Sequence, residues 1–430
     1  MNPYPSYKES GVDWIGEIPS EWDCIRGRFL FTKKKEINKE FQNDNLLSLT
    51  LNGVLNKDLE SHEGLRPLDY KTYQIFEKDD LVFKLIDLEN VKTSRVGLVH
   101  EKGIMSPVYI RLEPRPEILP RFSYYFYYDL YKKEIFNYLG LGVRSSLSPS
   151  DLLEIEIPLS TIQEQQQIST YLYHKTHQID SLVEKTQQKI ELLKEQKSSL
   201  INKVVTKGLN PDVEMKDSGV EWIGEIPSGW KVIQIRFISK MMRGKFSHRP
   251  RNDERFYDGD YPFIQTGDIV SSGKYLTNFT QTLNEMGYSV SKEFPIDTLV
   301  MSISGNIGDV SILKIKSCFP DSIIGFFPKN NNFIEYLFYL FLSMKDEFCK
   351  NSVVSTQLNL NVERVGSIRV PITSIQEQQQ IVKHLDKETT KIDSTIEKET
   401  QRIELLKEYR QSLISNVVTG KVDVRDEVVV

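Results

Sequence analysis

The chain repeats itself, so whatever it folds into must be built twice. SGVDWIGEIPS at Ser10–Ser20 returns as SGVEWIGEIPS at Ser218–Ser228, and Trp14 finds its copy 208 positions on, at Trp222. IQEQQQI at Ile162–Ile168 returns at Ile375–Ile381, 213 positions on. The match continues through IELLKEQKSSLINKVVT (190–206) and IELLKEYRQSLISNVVT (403–419). Two blocks in the same order exclude a chance match, and repetition of this kind dictates architecture before any other signal. Between the blocks the copies differ strongly, and by five residues in length. Each copy therefore has a constant lead-in, a variable globular middle and a constant helical exit.

The exits read as long helices. Neither 163–206 nor 376–419 holds Pro or Gly, and Gly208 and Gly420 stand just past each end, where glycine stops a helix. Apolar residues recur every seven positions. One series is Leu172, Ile179, Thr186, Leu193, Leu200 and another Thr176, Val183, Ile190, Lys197, Val204. The second copy repeats them as Leu385, Ile392, Glu399, Leu406, Leu413 and Thr389, Ile396, Ile403, Arg410, Val417. That 3/4 spacing makes a narrow apolar seam, as in a coiled coil. Each helix spans roughly 60 Å at about 1.5 Å per residue. The two seams can bury each other. The polar positions Thr186, Glu399, Lys197 and Arg410 leave open packing on each helix's own domain, or a third partner.

The middles read as mixed α/β. DLVFKLID (80–87) and MSPVYIRL (105–112) in the first copy are β-rich runs, as are YPFIQTGDIV (261–270), TLVMSISG (298–305) and DVSIL (309–313) in the second. Each middle then carries an aromatic-rich helix, at 122–139 and 333–349. An aromatic stripe can stack bases. The same helix in the same place of both copies favours core packing.

At 430 residues the chain holds about two to four domains. Cys24, Cys318 and Cys349 lie far apart without a CxxC pair, which suits a reducing compartment and argues against structural zinc. MNPYPSYKESG is no signal peptide, and no apolar run is long enough to span a membrane. Catalytic signatures are scarce. No GxxxxGK[ST] run exists, and SISGNIGDV (302–310) is read as a turn between strands. An Asp/Asn-Pro-Pro-aromatic run, needed by an amino-methyltransferase, is absent. Pro211–Lys216 imitates a nuclease PD…ExK set but crowds it into one linker, where a metal nuclease gathers it from adjacent strands. His174 and His177 correspond to Lys387 and Thr390 in the other copy and read as solvated surface.

What remains is local charge. The net charge is −5, yet Arg243, Lys245, His248, Arg249, Arg251 and Arg255 cluster in one stretch, diluted by Asp253 and Glu254. Lys33, Lys34 and Lys35 follow the same lead-in block in the first copy. Basic segments at matched positions suit phosphate contact, and arginine also reads guanine edges.

The motifs taken together resemble the specificity subunit of Type I restriction-modification systems. The resemblance lies in WIGEIPSxW (Trp14–Trp22, Trp222–Trp230), in IPLSTIQEQQQI (157–168) and VPITSIQEQQQI (370–381), and in the strand runs at 80–87, 103–114, 261–269 and 299–312. It covers essentially the whole chain. It implies an α+β fold: two mixed α/β target recognition domains in tandem, each followed by a long helix, with the two helices in an antiparallel coiled coil. The boundaries expected are 1–158 and 209–371 for the recognition domains, and 159–208 and 372–430 for the helices with the C-terminal tail.

The same resemblance implies a cytoplasmic, non-catalytic subunit that reads a bipartite site on double-stranded DNA. The helices would dock two modification (methyltransferase) subunits, with restriction (translocase/endonuclease) subunits further out and no membrane. The chain itself would bind no cofactor; S-adenosylmethionine, ATP and magnesium would sit on the partners. Base contacts vary with the target, so DNA-binding candidates come from basic and polar loops. These are Lys33, Lys34, Lys35, Arg243, Lys245, His248, Arg249 and Arg251, with Arg144 and Ser145 (and Ser146, Ser148) before the first exit helix. Gln357 and Asn359 (with Thr356, Asn361) precede the second, and Asn90, Lys92 and Arg95 (with Glu89, Thr93) form a third patch. Two readings compete: a scaffold that assembles partners without reading DNA, and the specificity subunit of a methyltransferase-only system.

Overall fold

The computed structural model describes residues 2–57, 70–89, 93–140, 146–354 and 358–427. The repeated lead-in is a β-hairpin in both copies: Tyr7–Glu9 pairs antiparallel with Glu17–Pro19, and Met215–Asp217 with Glu225–Pro227. The strand that follows each hairpin pairs with the strand that leads out of the same module. Asp23–Arg26 lies against Glu156–Leu159, and Lys231–Gln234 against Arg369–Ile372. Each variable middle is thus closed at its neck by main-chain hydrogen bonds, which involve no side-chain atoms.

The middles share one sheet order despite their different sequences. In the first, β1 (Phe31–Lys34), β2 (Leu81–Phe83), β3 (Val96–Leu98) and β4 (Ile110–Pro114) form an antiparallel sheet ordered β1-β4-β2-β3. In the second, β5 (Ser239–Arg243), β6 (Tyr275–Leu276), β7 (Leu299–Ser302), β8 (Val310–Leu313) and β9 (Ile323–Pro328) are ordered β5-β9-β7-β8-β6. The order of the first four repeats that of the first module, and β6 adds a parallel edge strand. SISGNIGDV is the connection between β7 and β8.

The aromatic helices are core, as their matched positions indicate: Phe122, Tyr125, Phe126 and Tyr127 are buried in one, Tyr336–Phe341 in the other. Each is broken where one continuous helix was expected. The first stops at Lys132 and resumes at Ile135, with Glu134 in the left-handed region at φ +57°. The second runs Ile334–Ser343 and resumes at Lys345. α1 (Pro120–Lys132) and α3 (Ile334–Ser343) name their first parts; α2 (Ile162–Lys207) and α4 (Ile375–Val418) are the long helices. Gly208 and Gly420, both at φ +72°, end the long helices in a conformation that glycine adopts without strain.

Compactness follows packing, whereas the repeat follows chain order. One unit takes Met1–Gln187 with Thr400–Val430, the other Gln188–Glu399, so each long helix contributes to both. The first core joins Trp22, Phe83 and Tyr127 to Ile168 and Leu172 of α2 and to Leu413 and Val417 of α4. The second joins Trp230, Leu299 and Phe341 to Ile381 and Leu385 of α4 and to Ile201 and Val205 of α2. A helix therefore packs on its own module with one half and on the other module with the rest.

The charged seam positions are paired across the helices. Arg410 bonds Asp180 at 2.9 Å in the first unit; Lys197 bonds Asp393 at 2.7 Å and Lys189 bonds Glu399 at 2.5 Å in the second. From Lys189 to Lys197 the partner number falls from 399 to 393, so the helices run antiparallel there.

The start of each long helix explains the IQEQQQI block. The carboxylate of Glu164 accepts the indole N–H of Trp22 (3.1 Å) and the Tyr4 hydroxyl (2.7 Å), and Glu377 accepts that of Trp230 (3.0 Å). Beside it, Gln165 Oε1 accepts the main-chain N–H of Leu119, at the head of α1 (2.8 Å). Gln378 does the same for Phe333, at the head of α3 (2.9 Å), and donates to Thr373 O (2.9 Å) and Asn332 Oδ1 (3.0 Å). Gln378 is buried, and leaving such groups unpaired costs about 1–3 kcal/mol. Gln378→Leu should lower the unfolding free energy by about that amount in denaturant titration. The exposed neighbour change Gln379→Leu should stay within about 0.5 kcal/mol of the parent.

Candidate nucleic-acid interface

In the second module the basic loop grows out of β5. Gly244 N–H donates to Ile323 O (2.9 Å) and Lys245 N–H to Phe319 O (3.0 Å), which ties the loop to the turn before β9. A Cβ on Gly244 would stand 2.3 Å from Pro320 O, so only glycine allows this approach. Arg243 Nε donates to the main-chain oxygen of Asp321. Arg249 is fixed by two main-chain oxygens, of Phe246 (2.6 Å) and His248 (2.8 Å), and turns its other nitrogen to the Asp321 carboxylate at 3.4 Å. Arg251 bonds the second oxygen of that carboxylate. Further along, His248 stacks on Phe256 at 3.9 Å and meets Asp253 at 3.0 Å. The Arg255 guanidinium, with His248 contributing, holds the Asp253 carboxyl well below the usual carboxylate range. The structure thus gathers Arg243, Arg249 and Arg251 around one acid, with exposed Lys245 beside them.

In the first module Lys33 and Lys34 lie on β1, at the sheet edge, and Lys35 follows; all three are exposed. Lys34 pairs with Glu113 on the adjacent β4 at 3.2 Å. β1 and β5 hold the same place in their sheets, so both basic segments continue from the same edge strand.

Arg95 does not fit the part expected of it. It is 1% exposed, and its guanidinium donates to the main-chain oxygens of Ile86 and Asp87, where it holds a loop together. Thr93 accepts from Lys84 at 3.3 Å. Ser148 caps helix Pro149–Glu154 through Asp151 N–H (3.1 Å), and Asn361 caps Val362–Ser367 through Arg364 N–H (2.8 Å). Asn90, Lys92, Arg144, Ser145, Thr356 and Gln357 lie outside the described residues, as does the side chain of Asn359. Asp321 went unnoticed in the sequence; nothing local marks an acid some seventy positions from the arginines it meets.

Two concavities lie along the helices. One of about 490 Å³ is lined by Lys197, Lys274, Tyr339, Asp386 and Asp393, and one of about 880 Å³ by Tyr124, Tyr128, Asp180 and Arg410. Among the described residues no group of three His, Cys, Asp or Glu side chains is placed to hold a metal ion, and no helix is long and apolar enough to cross a membrane.

Fold and charge together define a duplicated α+β protein, with two sheets of one topology on a shared pair of long helices and a basic segment on each. The chain belongs to the family described as Type I restriction modification DNA specificity domain, whose model matches it twice, at residues 27–194 and 227–407. A putative type I restriction enzyme MjaX specificity subunit of Methanocaldococcus jannaschii is 23% identical over 96% of both chains. The type I restriction enzyme EcoKI specificity subunit of Escherichia coli K12 is 22% identical over 46% of this chain and 44% of that one. Among solved structures, a chain from work on complex assembly and conformational transition of the type I R-M system superposes with TM-score 0.74 at 13% identity. It covers 94% of this chain and 99% of that one. The HsdS subunit from Thermoanaerobacter tengcongensis gives TM-score 0.53 at 13% identity, over 94% and 98%.

Arg95→Ala should lower stability by about 1–3 kcal/mol in denaturant titration, since it removes a buried side chain and the charged hydrogen bonds that hold the loop at Ile86 and Asp87. It should leave the DNA affinity of the folded protein unchanged. Lost affinity at unchanged stability would return Arg95 to the interface.

Proposed function

We propose that this chain is the sequence-reading, non-catalytic subunit of a Type I restriction-modification complex. Each module reads one half of a bipartite, asymmetric site on double-stranded DNA. The long helices set the spacer between half-sites and dock two modification (methyltransferase) subunits, with restriction (translocase/endonuclease) subunits further out. S-adenosylmethionine, ATP and magnesium belong to those partners, and the complex works on DNA in the cytoplasm.

The observation that supports this most is the contrast inside the repeat. Residues that hold a module to the helices are the same in both copies: Trp22 and Trp230, Glu164 and Glu377, Gln165 and Gln378. Residues on the basic surfaces differ: lysines 33–35 in one module, arginines 243, 249 and 251 in the other. Lysine meets phosphate as a point charge, whereas arginine also pairs with guanine through two bonds, so the modules suit different half-sites. The helices carry matched apolar exposure: Leu192 is 64% and Leu405 65% exposed at equivalent positions, which suits two copies of one partner.

Seven helical residues span about 10.5 Å, or roughly three base pairs. Removing one heptad from the middle of both helices should shorten the methylated site's spacer by about that number and leave both half-sites intact, as read by methylome sequencing. Changed half-sites with an unchanged spacer would sink the ruler.

A further inference from the structure

The arginine loop of the second module carries its own anion. Three guanidinium groups meet at Asp321, two on its carboxylate and one on its main-chain oxygen, so the cluster keeps two positive charges in excess. The carboxylate is half-buried and the arginines it faces are half-exposed: side-chain exposure is 35% for Asp321, 52% for Arg249 and 45% for Arg251. DNA backbone can reach both arginines. The loop does not depend on that carboxylate for its shape. Main-chain bonds from Gly244 and Lys245 hold it, the main-chain oxygen of Asp321 holds Arg243, and Arg249 is anchored through Phe246 O and His248 O.

We propose that Asp321 is an intramolecular stand-in for a DNA phosphate. It occupies the faces of Arg249 and Arg251 in the free protein and gives them up to backbone phosphate only when the rest of the half-site fits. Guanidinium binds carboxylate and phosphate through the same fork of N–H donors, so one anion can replace the other without rearranging the arginines. Non-specific DNA affinity comes almost wholly from phosphate contacts. A resident carboxylate that competes for two of them lowers affinity for random sequence. Specificity, the ratio of specific to non-specific binding, rises where the fitted half-site gives the displaced carboxylate a donor that random sequence does not. The proposal rests on the reading of this loop as DNA interface and adds to it a means of restraint.

The test measures binding of the full chain to a random-sequence DNA duplex across a salt series. It compares the parent, Asp321→Asn, the double change Arg249→Ala with Arg251→Ala, and all three together. Asparagine keeps the size of aspartate and an acceptor oxygen, and a melting curve checks each fold. Asp321→Asn should bind severalfold more tightly, with a salt dependence steeper by about one phosphate contact. In the double-arginine background the same change should do nothing. If the arginine changes weaken binding while Asp321→Asn leaves it unchanged or weakens it too, the stand-in idea fails and the interface survives. An equal gain in both backgrounds shows a general charge effect and also overturns the proposal. If the arginine changes have no effect at any salt concentration, the loop is not DNA interface and both readings fall.

Discussion

A glutamate and a glutamine, adjacent in the first turn of each long helix, hold together parts of the chain that lie far apart in sequence. The carboxylate of Glu164 takes the indole of Trp22 from the lead-in, and the carboxamide of Gln165 takes the head of α1. Glu377 and Gln378 do the same with Trp230 and α3. Polar groups withdrawn from water need partners with good geometry, so these contacts fix direction as well as proximity. Apolar packing around them, from Ile168 and Leu172 in one module and Ile381 and Leu385 in the other, supplies the drive but little direction. With lead-in, aromatic helix and long helix locked, the sheet between is free to change its surface.

The long helices show the same division between drive and direction. Apolar seam residues make association favourable, and cross-helix charges choose how it happens. Lys197 and Arg410 occupy equivalent repeat positions and each meets an aspartate, Asp393 or Asp180, that is also equivalent. These pairs are partly exposed, so each adds little to stability. Their use is in register: a slip by one turn would take Lys197 and Arg410 away from both aspartates. Arg410 also lies over the Tyr128 ring at 5.5 Å, which couples the helix to the aromatic core of the first module.

What could be read from the sequence was what repetition and local spacing encode. The two modules and the buried aromatic helices follow from the repeat, and the glycine stops at Gly208 and Gly420 from local spacing. Elements that depend on distant residues were hidden. Lys197 and Arg410 left the helices' partner open because spacing does not encode the partner helix's register. Arg95 looked like a surface base contact because its burial comes from neighbours brought in by the fold. Asp321 had no signature at all, since it is the pairing of β5 with β9 that carries it to the arginines. The break after α1 was equally silent: it rests on Glu134 taking a left-handed conformation that its sequence does not demand.

In the first unit residues 420–425 pack on residues 2–22. Asp423 N–H bonds Asn2 O at 2.9 Å, Arg425 lies over Tyr4 at 4.9 Å, and Gly420 packs on Pro19 and Trp22. In the second unit Gly208 meets Pro227 and Trp230 in the same way. Helix exit to hairpin is therefore one joint made twice, covalently continuous at 208–215 and non-covalent where residues 420–427 meet the first hairpin. The same contacts therefore form whether the chain runs through the joint or only packs against it, so packing and not chain continuity makes each joint.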